Sequence, residues 1–180
     1  IFKNLPKIKG QRWISIGRLD LNTSGLLLLT NDGDLAHKLM HPSSDIEREY
    51  AVRVLGKVSQ EHVDNMLKGV ELDDGPAKFT KLTTQGGTAA NIWYHATLTE
   101  GRNREVRRIF ESQNLTVSRL ARVRFGKIAL PKQVRPGKYC ELTAEQISIL
   151  KDEETKQCKQ HNRAPQPRRK KSAGYMAKTR

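Results

Sequence analysis

Trp13-Ile14-Ser15-Ile16-Gly17-Arg18-Leu19-Asp20-Leu21-Asn22-Thr23-Ser24-Gly25-Leu26-Leu27-Leu28-Leu29-Thr30 is the stretch around which the 180-residue chain is organised. Two short apolar runs flank a polar loop, and Asn31-Asp32-Gly33 supplies turn formers after the second run. Runs this short, bounded by turn residues, predict strand, loop, strand, with both strands buried. The loop carries one carboxylate, Asp20, between Leu19 and Leu21. An acid among apolar neighbours is costly to ionise without a nearby cation. Asp20 is therefore either a turn residue with a backbone partner or a reactive carboxylate with a basic partner elsewhere.

Outward from this stretch, residues 1–12 hold Pro6, Gly10 and four cations and read as irregular. Leu35 and Leu39 share a face of a short helix over Asp34–His41, which Pro42 stops. Glu49–Leu55 alternates and is rich in strand formers. Ser59 caps the next helix, which buries Val63, Met66 and Leu67 and closes at Gly69. Strands are expected at Val70–Leu72, Ala77–Thr84 and Ile92–Thr99, with a turn at Asp73–Pro76 and a loop at Gln85–Thr88. Arg104–Gln113 reads as a helix, Ser118–Arg124 as a strand and Lys127–Leu130 as a second short piece. Thr143 and Gln146 open a last helix with a capping-box pattern. Runs of strands broken by separate helices predict an α+β domain: a largely antiparallel mixed sheet with helices packed against it.

The formal charge is +14, which favours a polyanionic partner, nucleic acid being the usual one. Residues 155–180 hold nine Lys or Arg and no acid, and read as a disordered basic tail. Residues 151–180 carry ten cations against three anions, so half of the +14 belongs to residues 1–150. The folded part is basic in its own right. Two cysteines, Cys140 and Cys158, form neither a disulfide framework nor a metal pair, which fits a reducing compartment. No run approaches membrane-spanning length, and no secretory leader is visible. The chain opens at Ile1 and not at methionine, so a piece of a longer protein is expected.

In the helix at Arg104–Gln113, Val106, Ile109 and Phe110 share one face, and Arg107 lies at its boundary. A boundary arginine packs its stem inward and aims its guanidinium at a partly buried acid. Arg102 and Arg104 stand at the helix start, where cations oppose the dipole; phosphate binding would offset that. Arg119, Arg122, Arg124 and Lys127 form a further basic set, either a solvated edge or a second nucleic-acid stripe. Tyr50 is either a core residue or a platform for a base. His37 and His41 have a metal-compatible spacing but no catalytic Glu between them and no third ligand, so they read as surface histidines.

Gly17-Arg18-Leu19-Asp20, continuing through Asn22-Thr23-Ser24-Gly25-Leu26-Leu27, resembles the signature around the catalytic aspartate of RNA pseudouridine synthases. Tyr50-Ala51-Val52 and Glu100-Gly101-Arg102-Asn103-Arg104-Glu105-Val106-Arg107-Arg108 are similar to the tyrosine and basic motifs of that family. The wording of the motifs is closest to the RsuA-type branch, which modifies ribosomal RNA. The resemblance runs from about Trp13 to Leu150.

That resemblance implies the pseudouridine synthase catalytic fold and its reaction. A uridine in a stem-loop of the large-subunit ribosomal RNA is flipped into a pocket. Asp20 either attacks the ribose or assists loss of the base as a glycal forms, and the uracil rejoins the sugar through carbon 5. Tyr50 would stack on the base and help move the carbon 5 proton. Arg107 would form an ion pair to Asp20, Leu142 would line the uracil pocket, Arg18 would contact RNA beside the flipped nucleotide, and Arg102 and Arg104 would hold phosphates. No metal or organic cofactor is implied. The expected organisation is a catalytic domain over residues 1–152, without the S4-type RNA-binding domain that usually precedes it, and a basic tail over 153–180. A cytoplasmic monomer with no membrane partner is expected. The alternatives are a non-catalytic RNA-binding module of ribosome assembly and a metal-dependent nuclease; the second lacks a ligand set.

Overall fold

The computed structural model describes residues 2–88 and 90–161, the side chains of residues 42 and 153–161 excepted. The organising stretch forms three short strands: β1 (Ile14–Ile16), β2 (Ser24–Gly25) and β3 (Leu28–Thr30). β1 and β3 pair antiparallel, with Ile16 opposite Leu28 and both buried. The second strand begins later than the apolar run, because Leu26 bonds elsewhere: its N–H donates to the Arg122 carbonyl at 2.7 Å.

Helix α1 (Gly33–Met40) starts where the Asp32 carboxylate accepts from the Leu35 N–H at 3.0 Å, and buries Leu35, Ala36 and Leu39. Strand β4 (Arg48–Leu55) leads to α2 (Gln60–Lys68), whose cap is reciprocal between Ser59 and His62. β5 (Val70–Leu72) and β6 (Gly75–Ala77) make a small hairpin, followed by β7 (Lys81–Thr88) and β8 (Asn91–Leu98). Then come α3 (Glu105–Glu111), β9 (Thr116–Phe125), β10 (Ile128–Ala129) and α4 (Ala144–His161). Thr143 and Gln146 exchange the two hydrogen bonds of a capping box, at 2.9 and 3.3 Å.

The main sheet runs β10-β9-β4-β8-β7, every neighbour antiparallel, and β2 joins β9 in parallel. This is the α+β architecture expected. One sheet face places Val52, Val54, Tyr94, Ala96, Leu98, Val117 and Leu120 against Met66 of α2 and Val106, Ile109 and Phe110 of α3. The Phe79 and Phe110 rings meet there at 5.5 Å. A second core joins β1, β3, α1 and α4 to the end of β9 through Ile16, Leu28, Leu39, Phe125, Ile128 and Leu150.

Three boundaries differ from the sequence reading. The strand expected over 77–84 splits, because Phe79 turns into the core and its N–H bonds the Met66 carbonyl at 3.0 Å. The loop expected at 85–88 continues β7 across a register shift between Thr84 and Gly86, a β-bulge. The domain boundary at 152 falls inside α4, which continues to His161; residues 162–180 of the expected tail lie outside the described residues.

β2 and β9 approach closely only because residue 25 has no side chain. Gly25 has φ 101°, and a Cβ there would lie 2.2 Å from the Arg122 carbonyl oxygen and 2.6 Å from its nitrogen. Both neighbours are backbone atoms of a central strand and have little room to give. Gly25→Ala is expected to cost about 3 kcal/mol by strain and overpacking. Gly33→Ala in the first turn of α1, with only Ile14 Cδ1 at 3.7 Å, should change stability by less than about 0.5 kcal/mol. Urea denaturation of the two variants checks the contrast.

Candidate active site

The loop before β2 forms one wall of a cleft of about 570 Å³. Gly17, Arg18, Leu19, Asp20 and Thr23 come from that loop; Arg48 and Tyr50 from β4; Leu120 and Arg122 from β9; Arg104, Glu105 and Val106 from the start of α3. Strand alternation puts Arg48 and Tyr50 on one face. Register places Tyr50 directly opposite Arg122.

Asp20 is half-buried in this cleft. Its carbonyl closes a turn by accepting from the Thr23 N–H at 2.9 Å. Its carboxylate has no hydrogen bond or ion pair among the described residues. The side chain is therefore neither a backbone-bonded turn carboxylate nor one arm of a salt bridge.

The ion pair expected from Arg107 does not form. Arg107 is buried, and both ends of its fork are occupied: one nitrogen donates to the Val117 carbonyl at 2.9 Å and the other to the Asn22 carbonyl at 2.7 Å. α3 packs on β9 at the point where the Asp20 loop passes, so main-chain acceptors reach the guanidinium first. Arg107 thus ties the loop to the strand without touching the acid.

Arg102 is committed internally as well. It pairs with Glu100, Glu105 and Asp74 at 2.9–3.2 Å and donates to the carbonyls of Asp74, Gly75 and Pro76. The expected phosphate-binding role is therefore already spent on the β5–β6 turn. Glu105, at the first position of α3, offsets the unfavourable cation there. Burial pushes its carboxyl above the usual range, opposed by the Arg102 N–H and guanidinium. Arg104 takes the left-handed conformation at φ 48°, which shortens α3, and makes only a 3.4 Å contact to Glu111. Arg18 is exposed at the rim. Leu142 packs on the second core and does not line the cleft, contrary to the expected pocket role.

Two other cations line the cleft: Arg48, which the sequence reading did not single out, and Arg122, which it placed in a basic edge or stripe. Arg48 donates to the carbonyls of Ile46, Thr99 and Glu100, and its guanidinium lies 5.3 Å from the Phe125 ring centre. Burial lowers its proton affinity, with the Arg122 charge adding to that, against an opposing interaction with Tyr50. Arg122 is 3% exposed; its Nε donates to the Leu26 carbonyl at 2.8 Å, while one terminal nitrogen is buried without a partner among the described residues. The solvated edge or stripe read from Arg122 and Arg124 is thus not formed. β9 lies inside the sheet, and Arg124 is paired with Glu47 and Glu49. The i, i+2 spacing of Arg48 and Tyr50 was the signal that could have found the first cation. Nothing local marked Arg122 as buried. Among the described residues no group of three or more His, Cys, Asp or Glu could hold a metal ion.

A family model for RNA pseudouridylate synthase matches residues 1–112, and the chain belongs to that family. Among curated relatives, the ribosomal large subunit pseudouridine synthase B of Yersinia pestis is 53% identical over 152 residues, 84% of this chain and 48% of that protein. The protein of the same name from Pseudomonas aeruginosa is 54% identical over 154 residues, 85% of this chain and 40% of its own length. The chain spans about half the length of the curated relatives it matches. A crystal structure of a pseudouridylate synthase superposes with TM-score 0.72 at 28% identity, covering 83% of this chain and 64% of that one. A chain from an H/ACA ribonucleoprotein shares the fold alone, with TM-score 0.52 and 14% identity.

The different anchoring of Asp20 and Arg107 has a direct consequence for stability. Arg107→Lys keeps the charge but loses the fork and leaves a buried carbonyl unpaired, so it should cost about 2–3 kcal/mol. Asp20→Asn removes no ion pair and should change stability by less than about 0.5 kcal/mol. Chemical denaturation of both distinguishes this arrangement from an Asp20–Arg107 salt bridge, in which both variants would be destabilised.

Proposed function

We propose that this chain is the catalytic domain of a ribosomal RNA pseudouridine synthase, with Asp20 as the reacting carboxylate. The observation that carries this reading is an unengaged carboxylate that lines one cleft with Tyr50 and five arginines, two of which, Arg48 and Arg122, are held in place by main-chain carbonyls. The family membership and the names of the curated relatives support the same activity, on a uridine of the large-subunit ribosomal RNA. A flipped uridine would stack on Tyr50. Asp20 would act at the ribose C1′, either by attack or by assisting elimination to a glycal, as the bond to N1 breaks. The uracil turns and C5 bonds to C1′, on the first route as the bond from Asp20 to C1′ breaks and on the second as the proton taken from C2′ in the elimination returns to it; the C5 proton then leaves with help from Tyr50, and N1 gains a proton. The reaction is an isomerisation, so it needs no oxidant and no cofactor.

Arg122 would supply the positive field expected of Arg107: the residue lines the cleft and keeps one buried donor unspent, and a charge formed on the detached base beside it is worth more than in water. Arg48 adds to that field. Arg18, exposed at the rim, and Arg104, held only by the 3.4 Å contact to Glu111, are the cleft cations left to meet phosphates, and the net charge of +14 favours the encounter. A stem-loop is the expected form of the RNA. A monomer acting in the cytoplasm fits the reading; among the described residues no helix is long and apolar enough to cross a membrane. The domain is read as running through α4, with the remaining basic residues attracting RNA non-specifically.

The test is turnover of a large-subunit ribosomal RNA stem-loop carrying tritium at uridine C5. The unaltered chain should release tritium and form pseudouridine. Asp20→Asn should slow release on the order of 10³-fold or more while remaining folded. Near-normal release by the folded variant would sink the assignment.

A further inference from the structure

The sheet face opposite the cleft carries a second groove, of about 450 Å³, beside the same loop. Trp93 of β8, Arg53 of β4 and Arg119 of β9 are register partners, so they form one row across three strands. The Arg53 guanidinium lies 6.0 Å from the Trp93 ring centre, and its Nε donates to the Ser118 hydroxyl at 2.8 Å. The next row along the strands is His95, Ala51 and Ala121, where the two alanines leave the floor low. The loop forms the far wall through Leu21 and Asn22.

Three features of this groove are unexplained by folding. Trp93 is held half-buried on a sheet face over which no helix packs among the described residues. Arg119 is exposed and has no partner among the described residues. Leu21, next to Asp20, is fully exposed at 101%. An aromatic platform, an anchored guanidinium, a free cation and an exposed apolar side chain together match unpaired nucleotides: a π-face for a base, charge for a phosphate. Thr23 of the loop and Leu120 of β9 line both this groove and the cleft, so the two lie side by side across the loop and the edge of β9.

We propose that this groove is a second nucleotide site, which takes an unpaired nucleotide of the RNA whose neighbour occupies the Asp20 cleft. The RNA leaves the cleft across Leu21, rounds the sheet edge at β2, and stacks a base against Trp93 with its phosphate on Arg119. The site rests on the isomerase reading for the identity of the strand. It adds a footprint beyond the flipped residue, and a requirement that at least one neighbouring nucleotide be unpaired.

The experiment uses the full chain with Trp13→Phe, which leaves Trp93 as its single tryptophan. The probe is a single-stranded oligouridylate about ten nucleotides long, within the usual site size for such surfaces, with an RNA duplex of equal length for comparison. Saturable quenching of Trp93 emission by the single strand, and little by the duplex, is expected. Trp93→Ala should weaken binding, followed by anisotropy of a labelled oligouridylate, about 5- to 100-fold. Trp93→Phe should restore it to within about threefold, and Arg119→Ala should lower the salt slope by about one. Binding that leaves Trp93 emission unchanged, with Trp93→Ala binding like its parent, would overturn the second site while leaving turnover at Asp20 intact. Failure of both binding and stem-loop turnover would remove the site and the isomerase reading together. Self-association lost on Trp93→Ala, without RNA quenching, would make this face a contact between copies and also overturn the site.

Discussion

Two arginine side chains fasten one loop to one strand, and the geometry of the cleft depends on them. Arg107 reaches from α3 to the carbonyls of Asn22 and Val117; Arg122, within β9, holds the Leu26 carbonyl while its own carbonyl accepts from the Leu26 N–H. Hydrogen bonds from a charged donor to main-chain oxygen are among the stronger neutral-acceptor contacts. They act on Asn22 and Leu26, two and six residues after Asp20. Gly25 lets the loop come near enough to β9 for both to form. The acid is then fixed through its backbone while its carboxylate stays unengaged.

That division of labour suits a reacting group. A carboxylate locked in a salt bridge must break it to react, and an unbraced one must be ordered at each turnover. Here the ordering has been done during folding by side chains that do not touch the carboxylate. The positive charge near the cleft comes from Arg48 and Arg122, themselves held by carbonyls and by the Phe125 ring. Preorganised charge of this kind needs little rearrangement as the reaction proceeds.

The fold was legible where the pattern was local. Alternation in β4 and β8, the caps at Ser59 and Thr143, and the apolar face of α3 all stand where the sequence puts them. Phe79 was harder: its turn into the core breaks a strand for a tertiary reason that no period reveals. In the site, Asp20 and Tyr50 were readable from motifs, and the cleft brings them together. The partners of the arginines were not. Arg102 was expected to face phosphates because a cation at a helix start opposes the dipole, and only the tertiary fold brings the β5–β6 turn and Asp74 beside α3. Arg122 looked like a surface strand residue because sequence does not show that β2 closes over the edge of β9. Arg107 was rightly placed on the boundary of its helix face, but the acceptor it meets is main chain, which leaves no sequence signature.

The most direct measurement of the loop's anchorage is amide hydrogen exchange at Thr23 and Leu26, the two bonded N–H groups that follow the Asn22 tether. In the unaltered chain both should be protected to a degree approaching the amides of β4. In Arg107→Met both should exchange on the order of tenfold faster or more, with β4 unchanged. Exchange already near the unprotected rate in the unaltered chain, or untouched by the substitution, would contradict a loop held in place by arginine.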